Sequence, residues 1–259
     1  MSQGAPNDPD LSRFSLEGRT AVITGASLNI GAAISLGFAA AGADVVLVAR
    51  GRERLSAHAA LVRERTGRNV VEVAVDVTAP EAPEVIEEAA RQLPGPVDVL
   101  VNNAFTGGSV LGPVLEVPEP VWDEVLRTNL LAPVRLCARF APTLAASGRG
   151  SIINMVSGSG LLPTPTLGVY GASKAALWMA TRSLALELAP AVRVNALCPG
   201  VTTEDGESAH PTQAQLLPLV PLRRLARADE LVGAAIYLAS DASSYTTGEL
   251  LIVNGGRPW

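Results

Sequence analysis

Aromatic residues make up only 4% of the 259-residue chain, too few to build a stacking platform for single-stranded nucleic acid. Positive charge is not in excess either. Twenty Lys and Arg against 25 Asp and Glu give a net charge of −5 and a pI near 5.2, so the chain lacks the electrostatic footprint of a DNA or RNA binder. The two cysteines, Cys137 and Cys198, are too few for a disulfide framework and read as buried, reduced thiols of a cytoplasmic protein. The two histidines, His58 and His210, lie far apart and near no cysteine, so no metal site is expected. The opening MSQGAPNDPDLSR has neither the basic nor the apolar stretch of a signal peptide, and residues 1–14 read as a flexible tail.

What is present is apolar: 48% hydrophobic residues and a mean hydropathy of +0.28 exclude a disordered chain. Residues 20–43 carry no charge and are long enough to cross a bilayer. Thr24, Asn29 and four glycines interrupt that run, so a buried strand, a turn and a packed helix explain it better, and no membrane association is expected. Short Val-, Ile- and Leu-rich runs at 19–24, 44–49, 70–75, 97–102, 151–155, 192–197 and 250–253 lack period-two polarity, as strands covered on both faces do. Between them lie helix candidates at 30–41, 52–66, 80–93, 120–146, 169–188 and 228–239. Gly42 and Gly67 are placed to end the first two helices, and Thr78 is placed to cap the third ahead of Pro80. The alternation predicts an α/β fold, a mainly parallel seven-stranded sheet with right-handed crossovers and helices on both faces. No compositional break divides it, so 15–259 reads as one domain with a substrate loop at about 202–221.

Strand one runs into Thr24-Gly25-Ala26-Ser27-Leu28-Asn29-Ile30-Gly31 and then a helix. Glycine there lets backbone amides approach a pyrophosphate, and a helix N-terminus favours the anion. The spacing is close to T-G-x-x-x-G-x-G with Asn29 at the middle glycine, and asparagine best tolerates a left-handed backbone among non-glycine residues. An acid at the end of the second strand would select NAD(H). Here Asp44 stands at the strand's beginning, and the far end reads Val48-Ala49-Arg50-Gly51-Arg52. A guanidinium there suits a 2′-phosphate, so NADP(H) is predicted with Arg50 as the first contact and Arg52 the second, NAD(H) being the alternative.

Tyr170 and Lys174 are four residues apart and share one face of a helix. A phenol ordinarily titrates near pH ~10, and a neighbouring ammonium lowers that value toward a usable general acid or base. Ser157 follows strand five, where ligands bind in such sheets, and can donate to a substrate carbonyl; Ser159 is second for that role. Asn102 and Asn103 near a strand end could simply satisfy backbone groups.

Taken together, Thr24-Gly25…Gly31, Asp76-Val77, Asn102-Asn103-Ala104, Asn129, Ser157, Tyr170-x-x-x-Lys174, Pro199-Gly200 and Val253-Asn254-Gly255-Gly256 resemble the short-chain dehydrogenase/reductase family over about residues 15–256. The resemblance implies a Rossmann-like, doubly wound fold, a homotetramer or homodimer, and reversible hydride transfer between a nicotinamide and a carbonyl or secondary alcohol. It implies Tyr170 as acid/base, Ser157 as the group that polarises the carbonyl, and Lys174 as the residue that lowers the phenol's pKa and holds the nicotinamide ribose. Asn129 would brace a water in a proton relay. Asp76 and Val77 would meet adenine, Asn103 and Ala104 the adenosine ribose, and Val201 with Thr202 or Thr203 the nicotinamide carboxamide. Three departures stand out: Asn29 for glycine, Phe105 after Asn-Asn-Ala, and Glu204 where the Pro-Gly-x-x-x-Thr pattern has threonine. Phe105, Ser159, Leu161, Leu167 and Leu216 are candidate substrate contacts, and 202–222 holds no Arg or Lys. An uncharged, moderately lipophilic small molecule follows. An NAD-preferring dehydrogenase, a non-redox lyase or epimerase, and a silent nucleotide-binding sensor remain as alternatives.

Overall fold

The computed structural model describes residues 10–108, 112–203 and 217–258. Seven strands form one parallel sheet: β1 (Thr20–Thr24), β2 (Asp44–Ala49), β3 (Val70–Ala74), β4 (Val97–Asn102), β5 (Gly150–Met155), β6 (Val192–Pro199) and β9 (Leu250–Val253). Their order is β3-β2-β1-β4-β5-β6-β9, so the chain winds outward from β1 and then returns to build the other half from β4. A two-stranded ladder pairs β7 (Thr202–Thr203) with β8 (Ala226–Arg227). The helices are α1 (Asn29–Ala40), α2 (Arg52–Thr66), α3 (Ala82–Ala90), α4 (Glu119–Leu126), α5 (Ala132–Ala146), α6 (Gly168–Leu188) and α7 (Val232–Ala239).

Every residue of β1, β2, β4 and β5 is buried, because helices cover both faces. Alternate side chains serve the two layers. Ala21, Ile23, Val45, Leu47, Val99 and Val101 pack with Ile34, Phe38 and Leu55, whereas Val22, Val46, Leu100 and Ile152 pack with Ile86, Leu136 and Phe140. The uncharged run 20–43 is strand, turn and helix, and among the described residues no helix is long and apolar enough to cross a membrane.

Four expectations need correction. Residues 11–14, expected within a flexible tail, are ordered: Leu11–Phe14 forms a 3-10 turn capped by Asp10, and Arg13 donates to the Asp241 carbonyl at 2.9 Å and to Ser244 Oγ at 2.7 Å. Thr78 does not cap α3. It donates its N–H and hydroxyl to Asp76 Oδ1, each at 2.8 Å, and the helix starts later, at Ala82 with Pro83 in its first turn. The helix expected over 120–146 is broken by a π turn, Arg127–Leu131, where Ala132 N–H reaches back to the Arg127 carbonyl. Pro133 follows and has no N–H to offer the next turn, so the wider ring absorbs the defect. The loop expected over 202–221 begins with β7, and Leu217–Leu219 is a 3-10 turn.

Candidate active site

The carboxyl ends of the strands open into a cleft of about 930 Å³ that straddles the switch between β1 and β4. One wall is the turn between β1 and α1. Gly25 adopts φ +66°, and Ser27, Leu28, Asn29, Ile30 and Gly31 line the cleft. A Cβ on Gly31 would fall inside contact distance of the Gly25 carbonyl and Asn103 Nδ2, so only glycine lets the helix start this close to the turn. Thr24 holds the arrangement. Its hydroxyl accepts from Asn103 N and Ala104 N, both at 3.0 Å, and donates to the Val101 carbonyl at 3.3 Å. Asn103 Nδ2 donates to the carbonyls of Thr24 (2.9 Å) and Gly25 (3.2 Å), so this side chain braces the turn while Asn103 and Ala104 both border the cleft. The signal for Thr24 was the hydroxyl immediately before Gly25.

At the ends of β2 and β3, Ala49, Arg50, Asp76 and Val77 line the same cleft. The Arg50 side chain is 77% exposed and lies 3.9 Å from Asp76. Arg52 does not line the cleft; its charge acts on Glu72 instead. Arg54, two residues further, does line it and was missed, because which face of α2 meets the cleft is set by packing and not by where the helix starts. Asp44 is occupied at the far end of β2 by Arg68 and Asn69. Arg135 of α5 donates to the carbonyls of Val77 and Thr78, both at 3.0 Å, and so fixes the turn carrying Asp76. Burial raises the Asp76 pKa, but hydrogen bonds from Thr78 and the Arg50 charge outweigh it and hold the carboxyl below its usual value.

The other end of the cleft brings Ser157, Tyr170 and Lys174 together. Ser157 follows β5, takes the Ser159 N–H at 3.3 Å and lies within hydrogen-bonding reach of the Tyr170 phenol. Two glycines set this approach. A Cβ on Gly160 would strike the backbone of Lys174 and Ala175, and one on Gly171 would strike the Ser159 carbonyl. Lys174, the chain's only lysine, is buried and donates from Nζ to the Met155 carbonyl at 2.8 Å. Its Nζ is 5.8 Å from the centre of the Tyr170 ring and 5.7 Å from that of Phe105, whose ring is 6.1 Å from Tyr170. Asn129 sits in the π turn, fully buried, and its carboxamide bonds Thr106 N, the Thr106 carbonyl and Ser173 Oγ at 2.9, 2.9 and 3.0 Å.

Other expected residues fall elsewhere. Pro199, Gly200 and Thr202 line the cleft. Val201 faces a separate cavity of about 80 Å³ beside Val220 and Leu222, and Thr203 is buried in the β7–β8 ladder. Ser159 Oγ is bonded by Thr164, Leu161 packs beside Val156 and Leu177, and Leu167 starts α6 and bridges to Gly112; none of the three lines the cleft. Leu216, His210 and Glu204 lie outside the described residues. Conversely Thr106, Glu124, Arg127 and Thr128 line the cleft and gave no motif signal. His58 sits against Ser35, and among the described residues no cluster of ligating side chains could hold a metal.

The electrostatics reverse one expectation. Burial pushes the Tyr170 phenol up to about 12, against the lowering effect of the Ser157 hydrogen bond. Lys174 does not bring it down. Burial drops the lysine itself to about 7, so the amine is neutral in the alkaline range where the phenol would ionise.

A family model described as enoyl-(acyl carrier protein) reductase matches residues 25–257. An uncharacterized oxidoreductase of Mycobacterium tuberculosis is 38% identical, covering 95% of this chain and 94% of that protein. The Bos taurus dehydrogenase/reductase SDR family member 4 is 34% identical, covering 94% and 88%. The chain belongs to the short-chain dehydrogenase/reductase family of oxidoreductases. The structure of L-sorbose reductase from Gluconobacter frateurii, complexed with NADPH and L-sorbose, superposes with a TM-score of 0.87 at 34% identity over 95% of this chain and 98% of that one. Against the short-chain dehydrogenase/reductase pattern, Asn29 keeps the turn by adopting φ +47°, and the Phe105 ring stands beside the tyrosine and lysine. The glycine cradle and the open cleft fit a nicotinamide dinucleotide.

Proposed function

We propose that this protein is an NADP(H)-dependent oxidoreductase that moves a hydride between the nicotinamide and the carbonyl or secondary alcohol of an uncharged, moderately lipophilic small molecule. The observation that carries this reading is the convergence of Ser157, Tyr170 and Lys174 at one end of a cleft whose other end is the glycine turn.

In the reductive direction Ser157 donates to the substrate oxygen and polarises the carbonyl. Tyr170, kept neutral by its high pKa, passes its proton to that oxygen. When bound, the cofactor supplies the hydride and, once oxidised, a positive ring that favours the phenolate. Lys174 spends one N–H on Met155 and has others for ribose hydroxyls. Both Nδ2 protons of Asn129 are committed to the Thr106 carbonyl and Ser173 Oγ, which leaves one lone pair of Oδ1 for a relay water.

Arg50 and Arg54 beside the cleft, with no acid at that end of β2, support NADP(H). Phe105, Met155 and Val156 give the catalytic end an apolar wall. Exposed Met179 and Leu186 on α6, and Tyr245, support assembly as a homotetramer or homodimer. Two buried free thiols suit a cytoplasmic setting.

The test is fluorescence titration with NADPH and NADH, followed by a panel of ketones, alcohols and anionic sugars. Tighter NADPH binding with turnover of uncharged carbonyls is expected. A clear NADH preference would overturn the cofactor assignment, and turnover of anionic sugars alone would overturn the substrate class.

A further inference from the structure

Asn29 holds a left-handed backbone at φ +47°, which glycine would hold with less strain. Turn geometry therefore does not account for a carboxamide at this position. The side chain reaches across the cleft, where Nδ2 meets the Thr202 carbonyl at 3.5 Å. It thereby links the phosphate turn to β7, the segment that follows Pro199 and Gly200. Its other polar atom, Oδ1, is buried and has no hydrogen-bond partner among the described residues. A buried acceptor without a donor is unfavourable, so the atom calls for an N–H or O–H from whatever fills the cleft.

The chemistry of a dinucleotide narrows the donor. Pyrophosphate oxygens only accept, and would repel Oδ1. The groups able to donate are the adenine amine, the ribose hydroxyls and the nicotinamide carboxamide. Strand order separates the two halves: Arg50 and Asp76 follow β2 and β3 on one side of β1, whereas Thr202 follows β6, the neighbour of β5 that leads to Ser157. Asn29 leans to the second side through Thr202.

We propose that Asn29 is a cofactor-positioning residue for the nicotinamide half. Oδ1 accepts from an N–H or O–H of the nicotinamide nucleoside while Nδ2 ties the phosphate turn to Thr202. The proposal rests on the dinucleotide reading above and goes beyond it by giving this side chain a partner on the ligand and a partner on the protein.

Asn29→Gly is a clean probe, since glycine relieves the backbone and removes only the carboxamide. Calorimetric titration of wild type and variant with NADPH, and with 2′-phospho-ADP, which keeps the pyrophosphate and lacks the whole nicotinamide nucleoside, reads the contact directly. The variant is expected to bind NADPH about five-fold more weakly, the scale of one hydrogen bond, and 2′-phospho-ADP as wild type does. Equal weakening of both probes places the effect at the phosphates and overturns the proposal, as does unchanged NADPH binding. Wild-type protein that binds neither probe overturns the dinucleotide reading itself, an outcome visible before any variant is compared.

Discussion

At the phosphate end of the cleft the working surface is backbone and glycine, with Arg50 and Arg54 reaching in from solvent. At the other end it is side chains packed beneath protein: Lys174 and Asn129 are buried, and Tyr170 is half-buried between Ser157 and Phe105. The difference is one of dielectric. Charges in solvent are screened and contribute little singly, so cofactor choice at the first end is adjustable by one or two arginines. Charges removed from water shift their protonation equilibria, so the second end sets proton chemistry by burial rather than by ion pairing.

Removing the phenol would break the comparison most severely. Tyr170→Phe is expected to lower kcat by about 10²–10⁴-fold, the contribution of a positioned acid or base, while NADPH binds as in wild type. Turnover equal to wild type would remove Tyr170 from the reaction. The solvent end predicts a smaller effect: Arg50→Ala and Arg54→Ala each weaken NADPH about 3–10-fold, leave NADH nearly unchanged, and lose much of the difference in high salt. Arg52→Ala should do nothing, and an Arg52 effect equal to that of Arg54 would contradict the facing of α2.

Smallest is the effect on stability. Between pH 7 and 10.5 the folded chain has released the Lys174 proton and the unfolded chain has not, so stability rises with pH in that window. Below pH 7 the cost of burying the ammonium is present in full. Lys174→Met is therefore expected to be more stable than wild type at pH 6, by about 1–3 kcal/mol, with the advantage shrinking toward pH 10. Tyr170 acts oppositely: its folded value of about 12 exceeds the reference value of 10, and the stability it contributes is lost as pH rises through that interval. Thermal melts across pH check both signs.

The fold was largely legible because covered parallel strands leave uninterrupted Val and Ile runs, and because Gly25, Gly31 and the Tyr170–Lys174 spacing mark where backbone must come close and where side chains share a face. Sequence was silent where facing depends on packing. Arg52 and Arg54 both lie in the first turn of α2, whose bounds were legible, but which of them meets the cleft is set by how the helix packs on the sheet. The π turn around Asn129 was not legible although the helix was expected to run through it, because a proline at 133 can be met by a kink, a break or a wider ring and spacing does not choose among them. Leu161 and Leu167 are apolar and Ser159 follows a strand, which suits a pocket wall, but Ser159 Oγ is bonded by Thr164 and Leu161 packs beside Val156 and Leu177, contacts that spacing does not reveal. The direction of the phenol's pKa was missed for a related reason: proximity of an ammonium is visible as spacing, whereas burial of that ammonium is not.

Because the chain has one lysine, labelling lysine with ¹³C at Cε gives a single side-chain signal whose chemical shift titrates Lys174 alone. A midpoint near pH 7 in the cofactor-free protein is expected, and would place a dry, water-excluding site beside the tyrosine. A midpoint at the ordinary lysine value of 10.5 would mean a solvated ammonium and would contradict the account of how this end of the cleft handles protons.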